Sequence, residues 1–280
     1  MLYVKIGDGM GNQMYNYACG YAAAKKNGEK LCLDISECDN SPIRDYELER
    51  VFNIDCKNKV SFSNKTIFHK IFKRIWRDLF HHVIYENKNY IFLYDERVYT
   101  KKKIRDIYLY GYWQNFQFFD FCADDIKRQF TCAYKQDENV KKLIKEFSES
   151  DTCAVHIRGG DIVGPESTYF KNALKNMKTM HPGMRYIVFT NDMKRAYECM
   201  KEWDPEMDVE LVGNLGQFSD SDEFFLMSAC RNQIISNSTF SWWAAYLNSY
   251  EDKTVMAPRI YNASSNIYPD GWVVLERDTK

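Results

Sequence analysis

The stretch CAVHIRGGD, at residues 153–161, decides the fold, because an apolar run gives way there to a polar turn containing two glycines. The apolar part at 153–157 predicts a β-strand, and the periodic segment at 168–180 predicts a helix. The same alternation continues to residue 257 and gives five predicted strands separated by four predicted helices. Alternation of this kind predicts a doubly wound α/β domain with a parallel sheet.

The N-terminal segment repeats this organisation. A predicted strand at 2–6 leads into a glycine loop at 7–11. A predicted helix at 12–26 and a second strand at 30–35 follow. This order is that of a βαβ unit, which also favours a parallel sheet.

A polar run at 149–151 separates the two apolar patterns. It predicts two domains, residues 1–149 and residues 150–280. The expected fold class is therefore α/β, with two Rossmann-type βαβ domains facing a cleft. Ligands of such folds bind at the carboxyl ends of the strands, in a crevice of this kind.

The composition excludes several classes of function. The chain has 38 Lys and Arg against 39 Asp and Glu, so bulk charge favours neither a nucleic-acid partner nor a bilayer. Nine cysteines at irregular spacings, with no CxxC pair, predict reduced and mostly buried thiols. Zinc-hydrolase, Walker A and GxSxG motifs are missing from the sequence.

The sequence also carries expectations about location. No run approaches the roughly 18 apolar residues that span a bilayer, so no integral membrane segment is expected. The N-terminus lacks the features of a signal peptide, which predicts a cytoplasmic protein. A basic amphipathic helix at 66–80 is compatible with contact to a membrane, a partner or the core. The core or a domain surface is favoured, and a peripheral position at the inner face of the membrane is the alternative.

The glycine loop is the first candidate site. Gly9 and Gly11 allow the backbone to approach a ligand closely at a helix start. Asn12 and Gln13 add amide groups suited to sugar hydroxyls or phosphate oxygens. A tight turn that needs glycine explains the loop equally well.

The second candidate follows the predicted strand at 153–157. Arg158 has the fork geometry that binds a pyrophosphate, and His156 precedes it. Asp161 is suited to orient Arg158 or to accept from a sugar hydroxyl. The alternative is a surface ion pair on a loop, but the combination of residues at a strand end favours a site.

The third candidate is the polar start of the last predicted helix, at Asn237, Ser238, Thr239 and Phe240. Such a start can be a helix cap or an anion site, and four small polar residues at 236–239 favour the anion site. The tryptophans at 242 and 243 are expected in the core.

Acidic residues at two predicted helix starts leave alternatives open. Asp192 and the pair Asp222-Glu223 are each able to accept from guanine or ribose, or to support a helix start. The run Asp220-Ser221-Asp222 matches the metal-binding DxD pattern, but it is read as a helix start, so no metal site is predicted.

Four segments together resemble glycosyltransferase family 11, the α-1,2-fucosyltransferases. They are GDGMGNQMYNYACGYAAAKKNG at 7–28, LYGYWQN at 109–115, VHIRGGD at 155–161 and EFFLMSACRNQIISNSTFSWWAAYLN at 223–248. Their order and spacing match the family over nearly the whole chain. Asp8 stands where the family usually has Gly, Gly159 where it usually has a second Arg, and Glu223 where it usually has Asp.

The resemblance implies a GT-B-like fold, an acceptor-side domain at 1–149 and a nucleotide-sugar domain at 150–280. It implies GDP-fucose as donor substrate, inversion, no cofactor, no metal and no nucleic acid. The implied acceptor is a galactose-terminated glycan or a lipid-linked oligosaccharide. There are two alternatives. One is a transferase of the same fold that uses another GDP-sugar or forms another linkage, and the other is a glycan-binding protein with an inactive nucleotide site.

The resemblance also implies roles for single residues. Arg158 would hold the diphosphate with His156 beside it, and these two are the catalytic candidates together with Asp161. The general base stays open among Asp8, Asp161 and Glu166. Donor-binding candidates come from both domains. In the first domain, the residues that would approach the diphosphate or the fucose are Gly9, Gly11, Asn12 and Gln13. In the second domain, Glu223 would face the guanine, and the residues that would line the donor are Asn237, Ser238, Thr239 and Phe240.

Overall fold

The computed structural model describes residues 1–62, 66–87, 92–101, 104–160, 165, 167–212, 217–260 and 267–276. Asp161 and Glu166 lie outside the described residues. The described chain forms two compact units. The first contains residues 1–134 and a short segment at 267–268, and the second contains most of the remainder.

The first unit is a parallel α/β unit. Its described strands are β1 Leu2–Lys5, β2 Leu31–Asp34, β3 Lys59–Val60, β4 His81–Tyr85 and β5 Asp106–Tyr110. Its α-helices are α1 Met10–Asn27, α2 Ser36–Asn40, α3 Leu48–Val51, α4 Ile67–Phe80 and α5 Ala123–Gln129. Short 3₁₀ helices lie at Glu96–Tyr99, Phe116–Phe118 and Asp120–Cys122. The strand order is β3-β2-β1-β5-β4, and every pair is parallel.

Helix α1 packs tightly on the central strand β1, because its contact face is built from small residues. Ala18, Ala22 and Ala23 are fully buried. A Cβ on Gly20 would lie only 2.7 Å from a methyl carbon of Val4, so glycine sets the approach of helix to strand. This packing fixes the position of the loop that joins β1 to α1.

The second unit is also a parallel α/β unit. Its described strands are β6 Thr152–Ile157, β7 Arg185–Thr190, β8 Val209–Val212, β9 Asn232–Ile234, β10 Val255–Pro258 and β11 Val273–Leu275. Its helices are α6 Glu138–Glu149, α7 Ser167–Met180, α8 Met193–Met200, α9 Asp220–Ala229 and α10 Thr239–Leu247. The strand order is β11-β10-β9-β6-β7-β8. The predicted class of two parallel α/β domains is therefore confirmed.

The division of the chain falls near residue 134, upstream of the expected boundary at 149 and 150. The difference is α6, which packs on α9 and so belongs to the second unit. In that unit the chain runs from β6 outward through β7 and β8, and then returns to β9 on the other side. The carboxyl ends of β6 and β9 are thus the point where the winding reverses, where open α/β sheets bind ligands.

All nine cysteines lie within the described residues, and none is disulfide-bonded. Eight of them are buried, and Cys132 is half-buried. Burial raises the pKa of Cys230 to about 12 and holds the pKa values of Cys19 and Cys153 well above the usual range. The prediction that the thiols are mostly buried is confirmed, and their reduced state stays a prediction.

Helix α4 takes the second of its two favoured positions, a domain surface. Five of its large apolar side chains are more than half exposed: Ile71, Phe72, Ile75, Leu79 and Phe80. Among the described residues, no helix combines the length and the hydrophobicity needed to cross a bilayer.

Candidate functional site

The carboxyl end of β6 carries the first group of predicted residues. His156 is buried, and its Nδ1 lies 2.9 Å from the hydroxyl oxygen of Ser236. Ser236 lies between β9 and α10, and β9 pairs directly with β6. This hydrogen bond therefore fixes the strand that ends at Arg158 against the segment that leads into α10. Arg158 and the start of α10 lie at the same edge of one sheet.

His156 is a neutral positioning residue at physiological pH. Burial, aided by the nearby Arg158 guanidinium, lowers the pKa of His156 to about 3. A protonated ring would have to stay charged in an apolar setting beside another cation. The ring of Phe240 lies 5.9 Å from the imidazole, which completes that setting.

The start of α10 has an open N-terminus. Ser238 occupies the N-cap position with an extended backbone, but its side chain accepts no hydrogen bond from the helix. Three other helices of the second unit have closed starts, since Asp137, Asp192 and Ser219 cap α6, α8 and α9 with their side chains. The first N–H groups of α10 are thus available to an anion.

Phe240 links α10 to α9. Its ring lies 5.4 Å from the ring of Phe224, in an edge-to-face arrangement. Glu223 precedes Phe224 in the first turn of α9 and is half-buried. This contact packs the first turn of α9, which contains Glu223, against the first turn of α10. The tryptophans at 242 and 243 are buried, which confirms their expected place in the core.

The DxD run is the first turn of α9. Ser219 caps this helix by accepting from the N–H of Asp222, at 3.1 Å. Its hydroxyl also donates to the carboxylate of Asp222, at 2.7 Å. The described residues contain no group of three His, Cys, Asp or Glu side chains placed to hold a metal ion.

Gly159 lies in close contact with the end of the neighbouring strand β7. Its N–H donates to the side-chain oxygen of Asn191 at 2.9 Å, and Asn191 donates back to its carbonyl at 3.2 Å. A Cβ at position 159 would lie 2.4 Å from the Cβ of Asp192. Asp192 thus fills the space into which a side chain at 159 would extend, so the second Arg usual in the family cannot be accommodated without a shift.

The glycine loop of the first unit uses most of its polar groups internally. Gln13 is fully buried, and its amide donates to the carbonyls of Asp8 and Asp45 at 2.9 and 2.7 Å. Its amide oxygen accepts from the N–H of Glu47 at 3.0 Å. Gln13 therefore ties the loop to the chain at 45–47 instead of presenting its amide to a ligand.

Asn12 lies beside this anchor and is half-buried. Its amide oxygen accepts from Gln114 at 2.8 Å, which joins two of the segments that carry the family resemblance. Its amide nitrogen has no hydrogen-bond partner among the described residues. Gly9 caps α1 without a side chain, and Gly11 is buried in its first turn.

Asp8 has a strained, left-handed backbone with φ of 60°. This conformation suits glycine and, among other residues, Asn and Asp, which explains why Asp can replace the glycine usual at this position. The side chain of Asp8 forms a hydrogen bond with the phenol of Tyr112. Burial is the largest cause of the raised pKa of this phenol, and the hydrogen bond to Asp8 is the second. The Oδ2 atom of Asp8 is buried and has no hydrogen-bond partner among the described residues.

The supporting role of two residues, Glu86 and Ser236, was missed in the sequence analysis. Glu86 is half-buried, and its desolvation raises its pKa to about 7. It accepts hydrogen bonds from the N–H groups of Tyr112 and Trp113 at 2.6 and 2.9 Å. It therefore holds the turn that presents Gln114. Ser236 fixes His156. Nothing in the local pattern around Glu86 marks it, whereas Ser236 lies inside the polar run already singled out.

Two parallel α/β units, one of which carries an arginine and an open helix start at its switch point, define a glycosyltransferase of the GT-B-like class. A solved structure supports the fold: the NodZ alpha-1,6-fucosyltransferase, in a crystal soaked with GDP-fucose, matches with a TM-score of 0.52 at 12% identity. The match covers 96% of this chain and 99% of NodZ. The family model of Glycosyl transferase family 11 matches residues 1–276, and the chain belongs to this family.

The relatives come from bacteria and animals. The O-antigen biosynthesis glycosyltransferase WbnK of Escherichia coli is 29% identical, over 98% of this chain and 100% of WbnK. An alpha-1,2-colitosyltransferase of Escherichia coli is 25% identical, over 98% of each chain. The rabbit (Oryctolagus cuniculus) galactoside alpha-(1,2)-fucosyltransferase 1 is 24% identical, over 85% of this chain and 61% of the rabbit enzyme.

Proposed function

We propose that this glycosyltransferase moves L-fucose from GDP-fucose to the 2-hydroxyl of a terminal galactose, with inversion and without a metal or cofactor, in the synthesis of a surface glycan. The observation that carries the proposal is the open start of α10 beside the strand that ends at Arg158. An N-terminus with free N–H groups and a guanidinium at one sheet edge is suited to a nucleotide diphosphate.

The donor site lies in the second unit. Arg158 and the N–H groups at the start of α10 bind the diphosphate, with hydroxyls from Ser238 and Thr239. Glu223 faces the guanine, and Asn237 and Phe240 line the donor. His156 stays neutral and positions the strand end, so its place among the catalytic candidates becomes a positioning role. Asp161, outside the described residues, remains a candidate of the sequence analysis.

In the reaction, the galactose 2-hydroxyl oxygen forms a bond to the anomeric carbon of fucose. The bond from that carbon to the β-phosphate oxygen breaks, and GDP leaves. Negative charge grows on the leaving phosphate, and Arg158 with the α10 N–H groups stabilises it. Preorganised donors of this kind contribute roughly 3–4 kcal/mol each to lowering the barrier.

The glycine loop of the first unit has charged neighbours of both signs. Gly9, Gly11 and Asn12 bring a helix start and a neutral amide beside the half-buried Asp8, and the Arg44 guanidinium lies 3.9 Å from the Cβ position at Gly9. A carboxylate opposes binding of a diphosphate but suits sugar hydroxyls. We therefore assign this loop to sugar recognition, with Gln13 as its anchor.

Asp8 is our candidate for the general base, since its Oδ2 is buried without a hydrogen-bond partner among the described residues. It would take the proton of the attacking hydroxyl. Asp8→Asn keeps a residue that tolerates the left-handed backbone, so the fold should be retained. The expected loss of turnover is about 10²–10⁴-fold, with little change in affinity for GDP. Unchanged turnover would remove Asp8 from this role.

Another GDP-sugar is the second candidate donor. One relative is named a colitosyltransferase, and Asp192 fills the space of the second Arg usual in the family. The decisive assay offers GDP-fucose, a GDP-linked colitose and other GDP-sugars with a panel of galactosides, including lipid-linked ones. Products are read by mass and linkage. A product linked to another hydroxyl, or a preference for another donor, would refute the GDP-fucose proposal.

A glycan-binding protein with an inactive nucleotide site gives a different result in two simple measurements. Binding to the native state alone raises the melting temperature. The proposal expects stabilisation by GDP and slow donor hydrolysis without acceptor. Stabilisation by glycans but not by GDP, with no hydrolysis, would favour the binding protein.

A further inference from the structure

Helix α4 faces the sheet with its charged side. Lys73 forms an ion pair with the buried Asp34 at 3.2 Å. The guanidinium of Arg77 lies 4.5 Å from the centre of the Tyr110 ring. Trp76 packs between them, with its ring 4.4 Å from that of His81. Residues 73, 76 and 77 thus anchor the helix through one polar and aromatic face.

The opposite face is apolar and open. Five of the eleven large apolar side chains that are exposed in the described residues lie within ten consecutive positions of α4. Ile71, Ile75 and Leu79 follow the i, i+4 spacing and form one stripe, with 51–56% of each side chain exposed. Scattered apolar residues are normal on a surface, but a continuous patch indicates an interaction site.

The segment that contains α4 is strongly basic in sequence. Residues 66–105 contain ten Lys and Arg against four Asp and Glu, in a chain that has 38 against 39. Arg74 lies next to the stripe, with 79% of its side chain exposed and a 3.7 Å ion pair to Asp78. Lys101, Arg105 and His82 line an open cavity of about 670 Å³, which Asp78 of the same helix also lines.

We propose that α4 is a membrane-docking helix whose apolar stripe lies in the headgroup region of an anionic bilayer. An apolar stripe flanked by cations is the pattern of helices that lie in the plane of a membrane surface. Anionic lipids attract the basic segment around it. A second copy of the chain fits less well, because a symmetric contact would bring the same cations together.

The test is sedimentation of the purified protein with vesicles. One set is phosphatidylcholine alone, and the other contains about 30 mol% phosphatidylglycerol. The variant Ile75→Ser/Leu79→Ser removes apolar surface, and Arg74→Glu reverses one charge. The control is Tyr197→Ser, since Tyr197 is 54% exposed on α8 of the second unit. Circular dichroism and the melting temperature without ligand confirm that each variant is folded.

We expect the wild type and Tyr197→Ser to sediment with anionic vesicles. Binding should fall about tenfold or more in the double variant, in Arg74→Glu and at about 500 mM NaCl. Absent binding, or equal binding of the wild type and both α4 variants, overturns the proposal. The proposal is also overturned if light scattering shows that the wild type is a dimer and the double variant a monomer, while neither protein binds vesicles. Because this readout does not use turnover, it is independent of the donor assignment.

Discussion

The starts of α1 and α10 have the same geometry but different chemical surroundings. Each follows a strand of a parallel sheet, and neither is capped by a side chain. The start of α1 lies beside the half-buried carboxylate of Asp8, with the Arg44 guanidinium 3.9 Å from the Cβ position at Gly9. The start of α10 lies at the sheet edge that carries Arg158. A helix N-terminus therefore does not define a phosphate site by itself, and the charge of the flanking side chain decides which ligand it suits.

The largest effect is expected at the cationic side of this comparison. Arg158→Ala should lower turnover by about 10²–10³-fold and weaken the melting shift with GDP. Arg158→Lys should recover only part, because it keeps the charge but loses the two-pronged contact. The matched control is Arg231→Ala, which removes an exposed ion pair to Asp252. Equal turnover of Arg158→Ala and the control would eliminate the proposed role.

A second change tests the space beside Arg158. Gly159→Ala should destabilise the protein by about 1–3 kcal/mol, because its Cβ overlaps that of Asp192. Asp192→Gly should cost only a few tenths of a kcal/mol, since glycine is tolerated at an N-cap. If the overlap is the cause, the double variant should regain most of the free energy of unfolding that Gly159→Ala loses, as measured by urea unfolding. Simple additivity of the two single changes would contradict this explanation.

The pH dependence of stability tests the buried imidazole. The pKa of His156 is about 3 in the folded protein, against about 6.5 in the unfolded chain. Between these values the unfolded chain binds the extra proton, so His156 lowers stability as the pH falls. The slope should approach about 1.4 kcal/mol per pH unit. The free energy of unfolding of His156→Gln, measured by urea titration, should therefore depend less steeply on pH than that of the wild type between about pH 6.5 and pH 4.5. Parallel curves for both proteins would show that the ring titrates normally.

The smallest effect separates an anion site from a helix cap. Ser219→Ala should cost about 1 kcal/mol of stability, because Ser219 caps α9. Ser238→Ala should leave the melting temperature unchanged, because Ser238 caps nothing. It should instead weaken GDP binding about threefold to tenfold, which calorimetry can measure. A loss of stability without a loss of GDP affinity would identify Ser238 as a cap after all.

The sequence predicted most of the second unit, because its strands and helices are short, regular and separated by clear turns. The strand predicted at 153–157 is observed at Thr152–Ile157, and the helix predicted at 168–180 is observed at Ser167–Met180. The first unit was harder. β5 lies inside an aromatic run whose side chains do not alternate with polar ones, and β3 has only two residues.

The helix that forms α4 was predicted, but not its orientation. An amphipathic pattern shows that two faces differ, and hydrophobicity alone assigns the apolar face to the core. Here a buried partner, Asp34, reverses that assignment by pairing with Lys73. Similarly, the motif around Gln13 predicted a polar residue at a loop, but its buried bonds to Asp8 and Asp45 depend on chain segments far apart in sequence.

The buried thiols provide each unit with its own reporter of local opening. Cys19 and Cys32 lie in the first unit, and Cys153 and Cys230 lie in the second. A sealed thiol with a raised pKa reacts slowly with alkylating reagents until its surroundings open. Mass spectrometry after brief alkylation would therefore rank the opening rates of the two halves without any introduced label. Adding GDP during that pulse would show which half a nucleotide protects.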